Sequence, residues 1–225
     1  MKTYGPIILA IILFAGLVSF VRYKSDSRKK EQVEKIENER VRAQEKIDAE
    51  NRSAFSRLKT KADSALAYCK AKGLNTQYCC LIDFSIHSGK KRFFVWDFKK
   101  DTIKYSSLCC HGYGQKSTQS KPIFSNVEGS YCSSLGKYKT GAHSYSNWGI
   151  NVHYKLHGLD KTNSNAFKRW VVLHSHTPIS ESEIYPNHLP LGWSQGCPVI
   201  NDNIMRKIDV MLRETKKPVL LWIYN

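Results

Sequence analysis

From Ser27 to Ala71 the chain contains neither proline nor glycine, and no other feature narrows its possible folds so far. Glu, Lys, Arg, Ala and Gln dominate this stretch. They lose little side-chain freedom in a helix, so it reads as one long helix of about 40 residues, roughly 60 Å in length. Its apolar positions, Val33, Ile36, Ala43, Ile47, Ala54, Leu58 and Ala65, make a thin stripe that Arg40 and Asn51 interrupt. Such a stripe suits a solvated charged helix better than the sustained apolar seam of a coiled coil. Residues 25–72 are therefore expected to form a charged helical stalk.

Ahead of it lies PIILAIILFAGLVSFV, residues 6–21, uncharged and flanked by Lys2, Arg22 and Lys24. The run is at the short limit for spanning about 30 Å of hydrocarbon, and its length also fits a secretory signal. No small-x-small cleavage site follows, which favours an uncleaved anchor within residues 1–24. The basic flank, RYKSDSRKK, would by the positive-inside rule hold the remainder on the cytoplasmic side. The net charge of +16 favours an anionic partner. With no aromatic RNA motif, paired-cysteine finger or basic zipper, nucleic acid is not expected. A phospholipid surface or an acidic wall polymer fits the charge.

After Gly73 the texture changes. CCLIDFSI, KRFFVWDF, TIKYSSLCC, YKTGAHSY, INVHYKLHGL, RWVVLHSH and PVLLWIY are short runs rich in β-branched and aromatic residues, separated by turn formers. They predict a mainly β domain over 73–225. One helix is expected at 201–214, capped by Asn201 or Asp202, with Ile204, Ile208, Met211 and Leu212 as its buried face. The seven cysteines include the adjacent pairs Cys79–Cys80 and Cys109–Cys110, which suit small apolar residues in strands better than a spaced disulfide framework. No bridge is demonstrated by the sequence; if six did pair, Cys197 would be the natural one left free.

Chemistry concentrates in LGWSQGCPVI, residues 191–200. Cys197 stands between Gly196, which lets the backbone approach a substrate closely, and Pro198. The amides of Gln195, Gly196 and Cys197 are candidate oxyanion donors for an acyl group attacked by the thiol. A base should be close in space, and WVVLHSHT ends an apolar run with His174 and His176 on one strand face and Ser175 on the other. Either histidine can face Cys197 on this geometry. His174, His176 and Cys197 also admit a zinc site, though they bring only three ligands together.

The runs VVLHSHTPIS and LGWSQGCPV resemble the active-site signature of the YkuD-type L,D-transpeptidases, in the branch with a Gly-x-Ser-x-Gly-Cys-Pro turn. The similarity continues through LIDFSIHSGKKRFFVWDF, LCCHGYG, SSLGKYKTG and LHGLD, covering nearly all of residues 79–225. It implies a mainly β, L,D-transpeptidase-like catalytic domain, built as a β-sandwich or mixed sheet with a C-terminal helix. Cys197 would be the acyl-accepting nucleophile, His174 the general base, and Ser175 the residue whose main-chain carbonyl holds the imidazole. The implied substrate is a peptidoglycan stem peptide, cut between the L-centre of a diamino acid and a terminal D-amino acid. A thioester would form, to be resolved by an amine or by water, with no metal or organic cofactor. His176, Ser194, His143 and Tyr145 are expected to line the substrate cleft, while Ser134, Gly136 and Gly141 shape a loop beside it. Where the common pattern has a histidine two before the cysteine, this chain has Gln195, which cannot carry a proton in turnover. Ser175 replaces the usual glycine and His176 a small residue. The resemblance places the protein in the cell envelope, facing the wall. The alternatives are a wall-binding module that kept the fold without turnover, and a zinc-dependent hydrolase.

Overall fold

The computed structural model describes the chain from Gly5 to Asn225, with the side chains of Arg22, Lys24 and residues 28–225. Helix α1 runs without interruption over Gly5–Lys72. The expected membrane segment, residues 6–21, falls where side chains lie outside the described residues. Among the described residues no helix is long and apolar enough to cross a membrane, so the anchor finds no support there. The chain divides into two compact units, residues 1–56 and Arg57–Asn225.

Among the described residues the first unit is helix alone. Its described apolar side chains face solvent, with Val33 66% and Ile36 51% exposed. Its polar surface is laced by short-range pairs such as Gln44 to Asp48 at 2.9 Å, which add a few tenths of a kcal/mol each.

The second unit begins inside the same helix. Leu58, Ala62, Ala65 and Cys69 recur at helical spacing and are buried against Leu74, Cys79, Leu81, Trp96 and Leu220. The helix stops at Gly73, whose φ of +66° is left-handed, and the Leu74 amide returns to the Cys69 carbonyl at 3.0 Å. Strands β1 (Tyr78–Asp83), β2 (Phe93–Asp97), β3 (Thr102–Ser107), β4 (Cys109–Cys110), β5 (Gly136–Tyr145), β6 (Val152–Gly158), β7 (Val172–Ser175), β8 (Val199–Ile200) and β9 (Leu220–Tyr224) follow. All nine join one mixed sheet in the order β3-β2-β1-β9-β5-β6-β7-β8-β4. Of the two arrangements expected, the mixed sheet is found and the two-sheet sandwich is not. Pairs β1/β9 and β7/β8 are parallel and the others antiparallel.

Period two sorts β1 between two layers. Cys79 and Leu81 join the cluster under α1, while Cys80 and Ile82 join a second cluster under helix α2 (Asp202–Glu214). Strands buried on both faces read as continuous apolar runs, which explains CCLI. Helix α2 is capped by Asn201, whose side chain accepts from the Asn203 and Ile204 amides, and it buries Ile204, Met205, Ile208, Met211 and Leu212. All seven cysteines are free thiols; six are buried and Cys197 is half-buried.

Candidate active site

The parallel pairing of β7 with β8 sets His174 opposite Val199 and Ser175 opposite Ile200. The turn that enters β8 therefore runs beside the start of β7. The Val172 amide donates to Cys197 Sγ at 3.5 Å, and the His174 amide to the Pro198 carbonyl at 3.4 Å.

That turn is clamped on several sides. Ser194 Oγ donates to the Cys197 carbonyl at 2.6 Å and accepts from the Gly196 amide at 3.0 Å. The Tyr113 amide holds the Ser194 carbonyl at 3.0 Å, and Ser133 Oγ donates to the Gly196 carbonyl at 3.3 Å. Gly196 has φ +113°, and a Cβ there would lie 2.6 Å from the Cys132 carbonyl oxygen, so glycine is required on both counts. Arg169 braces the neighbouring segment: its guanidinium donates to the Ser125 carbonyl at 2.9 Å, to Ser130 Oγ at 3.3 Å, and to Ser134 Oγ and the Cys132 carbonyl.

Among the three candidate oxyanion donors, the Gly196 amide is thus already engaged by Ser194 Oγ. The Gln195 and Cys197 amides have no protein acceptor among the described residues. His174 Nδ1 lies 3.0 Å from the Ser175 carbonyl, an acceptor only, so Nδ1 carries the proton and Nε2 keeps its lone pair. Ser175 is fully buried, and its Oγ accepts from the Ile150 amide at 3.1 Å, fixing the loop beyond β5. Burial pushes the Cys197 thiol up, an effect that the Val172 amide, Lys155 and Arg169 oppose. Burial pulls His174 down, opposed by its bond to the Ser175 carbonyl. Both directions favour a neutral thiol beside a neutral imidazole at rest.

These groups open on a cavity of about 640 Å³. His174, His176, Ser194, Gln195, Cys197 and Tyr145 all line it. His176 is held edge-on between Trp148 and Trp193, with ring centroids 5.5 and 5.2 Å away. His143 lies elsewhere: it faces Arg213 at 2.8 Å and Asp209 at 3.5 Å on α2 and packs on Tyr154. A register shift in β5 between Thr140 and His143 puts it opposite Tyr154, on the α2 side of the sheet. Ser134 joins the Arg169 clamp. A Cβ on Gly136 would crowd Asn163, and one on Gly141 would crowd His157. Among the described residues no group of three His, Cys, Asp or Glu side chains is arranged to hold a metal. Lys155, Arg169, Ser133 and Trp170 also shape the site. Only for Lys155 did the sequence hold a signal, the polar alternation of His153, Lys155 and His157 along β6.

A family model of the L,D-transpeptidase catalytic domain matches residues 49–224, and the chain belongs to that family. Among curated proteins none matches. Solved structures similar to it include the helical cell shape determining protein Pgp2 from Campylobacter jejuni, at 12% identity and TM-score 0.43, over 66% of this chain and 47% of that one. Bd1075 from Bdellovibrio bacteriovorus is 13% identical with TM-score 0.41, over 68% of this chain and 49% of that one. An L,D-transpeptidase from Xylanimonas cellulosilytica is 10% identical with TM-score 0.34, over 65% and 60%. The chain spans about half the length of the first two.

Proposed function

We propose that this chain is a cysteine L,D-transpeptidase acting on peptidoglycan stem peptides in the cell envelope. One observation carries the reading: Cys197, the free Nε2 side of a carbonyl-anchored His174, and the uncommitted Gln195 and Cys197 amides meet at one cavity. In this reading His174 Nε2 takes the thiol proton as Sγ adds to the carbonyl carbon at the L-centre of the diamino acid. The Gln195 and Cys197 amides receive the oxyanion. Collapse breaks the C–N bond, and His174 returns the proton to the departing amine of the D-amino acid, leaving a thioester on Cys197. The amine of a second stem then adds to the thioester carbonyl and yields a proton to His174; the C–S bond breaks and sulfur recovers that proton. Water in place of the amine gives hydrolysis.

Membrane tethering through residues 6–21, with 25–72 as a spacer, belongs to the same proposal, and protease digestion of intact cells against spheroplasts tests on which side the catalytic unit lies. The central test is mass spectrometry after incubation with a stem tetrapeptide and, separately, with a carbapenem. An acyl adduct on Cys197 that Cys197→Ala abolishes is expected. A folded wild-type protein that takes neither acyl group would overturn the enzyme reading in favour of a wall-binding module.

A further inference from the structure

The face of β6 and β7 that looks toward the cavity carries His153, Lys155, Val172 and His174, paired across the strands as His153 with His174 and Lys155 with Val172. Lys155 stands out. Its residue is 7% exposed, and Nζ is fully buried with no hydrogen-bond partner among the described residues. Such an ammonium is costly to bury, and proteins rarely leave one without an acceptor. Its neighbours are rings: Nζ lies 3.5 Å from the Trp170 centroid and 4.7 Å from that of Phe167. Cation–π contact offsets only part of the lost hydration. No carboxylate pairs with it among the described residues.

The group near it that acquires negative charge is Cys197. Trp170, whose ring covers the ammonium, has its carbonyl 3.9 Å from Cys197 Sγ. Val172, paired with Lys155, donates its amide to the same sulfur. Trp170 holds a φ of +60°, unusual for a bulky residue, and is 65% exposed. Trp170 and Val172 line the cavity and Lys155 does not, so it lies behind the cavity wall.

We propose that Lys155 is the fixed counter-charge for the Cys197 sulfur, stabilising the thiolate that attacks the substrate and the thiolate released when the thioester breaks. Low polarity around the pair makes that attraction stronger than it would be in water. The other charged or titratable groups that act on the sulfur are Arg169 from the bracing loop and Tyr138 from β5, and those that line its cavity with it are His153, His174, His176, Tyr131 and Tyr145. None of these is a carboxylate. The opposition of Lys155 to the upward push of burial on the Cys197 thiol agrees with this role.

This inference rests on Cys197 as the nucleophile, yet its test needs no wall peptide. Iodoacetamide alkylation of the full chain is followed at the Cys197 peptide by mass spectrometry, over about pH 6 to 11, because the thiolate is the reacting form. Lys155→Met should shift the profile to higher pH, slowing alkylation about tenfold at a given pH below the midpoint while the alkaline plateau is kept. Its melting temperature should hold or rise, since an unpartnered buried charge is removed. Lys155→Arg should restore the wild-type profile, and Lys155→Gln, the second neutral variant in case Lys155→Met folds poorly, should show the same shift to higher pH. A neutral variant whose profile superimposes on wild type would overturn the proposal. A Lys155-dependent profile in a protein that takes no acyl group from stem peptide or carbapenem would sink the transpeptidase reading and leave this one standing.

Discussion

Among the described residues two buried cations, Arg92 and Lys155, sit beside cysteines, and their surroundings differ in kind. Arg92, 1% exposed, spends its guanidinium on the Cys109 carbonyl at 2.8 Å, the Ile86 carbonyl at 3.3 Å and His111 Nδ1 at 2.9 Å. Lys155 has no hydrogen-bond acceptor among the described residues. Both thiols are pushed up by burial: Cys109 to about 12, opposed by Arg92 and the Val199 amide, and Cys197 opposed by the Val172 amide, Lys155 and Arg169. A buried charge with a hydrogen bond from each of its three nitrogens is architecture. One held without a hydrogen-bond partner next to the proposed nucleophile is, on the proposal above, capacity reserved for a charge that arrives during reaction.

Substitutions can break that contrast. The largest effect is expected at the reactive end, where His174→Ala should lower stem-peptide turnover by about 10²–10⁴-fold and leave the circular dichroism melt unchanged. In wild type the acid limb of kcat/KM should lie below pH 6.5, because burial lowers His174 from that ordinary value and activity is lost only as pH falls through the lowered one. An acid limb above 6.5 would instead indicate an imidazolium that persists at neutral pH. At the architectural end, Arg92→Met should cost about 3–5 kcal/mol in urea unfolding, since it strands His111 and two carbonyls. Lys155→Met should cost nothing there, and equal losses would erase the distinction between the two cations.

The smallest effect is a pH dependence of stability at the same architectural end. His111 accepts from Arg92 at Nδ1 and donates from Nε2 to the Thr118 carbonyl at 2.8 Å, and burial with the Arg92 charge lowers it to about 4. Its folded value lies below the unfolded one, so its contribution is complete above pH 6.5. It is lost as pH falls from there to about 4, by about 3 kcal/mol in total. Unfolding free energies measured across that window should show the slope, and His111→Gln should flatten it.

Much of the site was legible from local pattern. His174 and His176 fall on one strand face because side chains alternate, and both reach the cavity. Gly196 and Pro198 announced a special turn at Cys197. His143 was misplaced because the bulge in β5 changes which face a residue occupies, and a bulge leaves little trace in TGAHSY. The candidate oxyanion donors were narrowed only by Ser194, whose hydroxyl takes the Gly196 amide. The last turns of α1 carry the same charged texture as its middle, residues 28–50, and only the fold buries Leu58, Ala62, Ala65 and Cys69 beneath the sheet.

The amino-acid order alone determined a long helix free of Pro and Gly, strands with their polar and apolar faces, an Asn-capped amphipathic helix and a cysteine in a glycine turn. All of these follow from φ/ψ preferences and periodicity, which act within a few residues. Tertiary structure decided which polar face is dry, which amides remain free, and that an ammonium from β6 and a sulfur ahead of β8 share one environment. Those outcomes depend on desolvation and charge across strands far apart in the chain, and no local pattern encodes them.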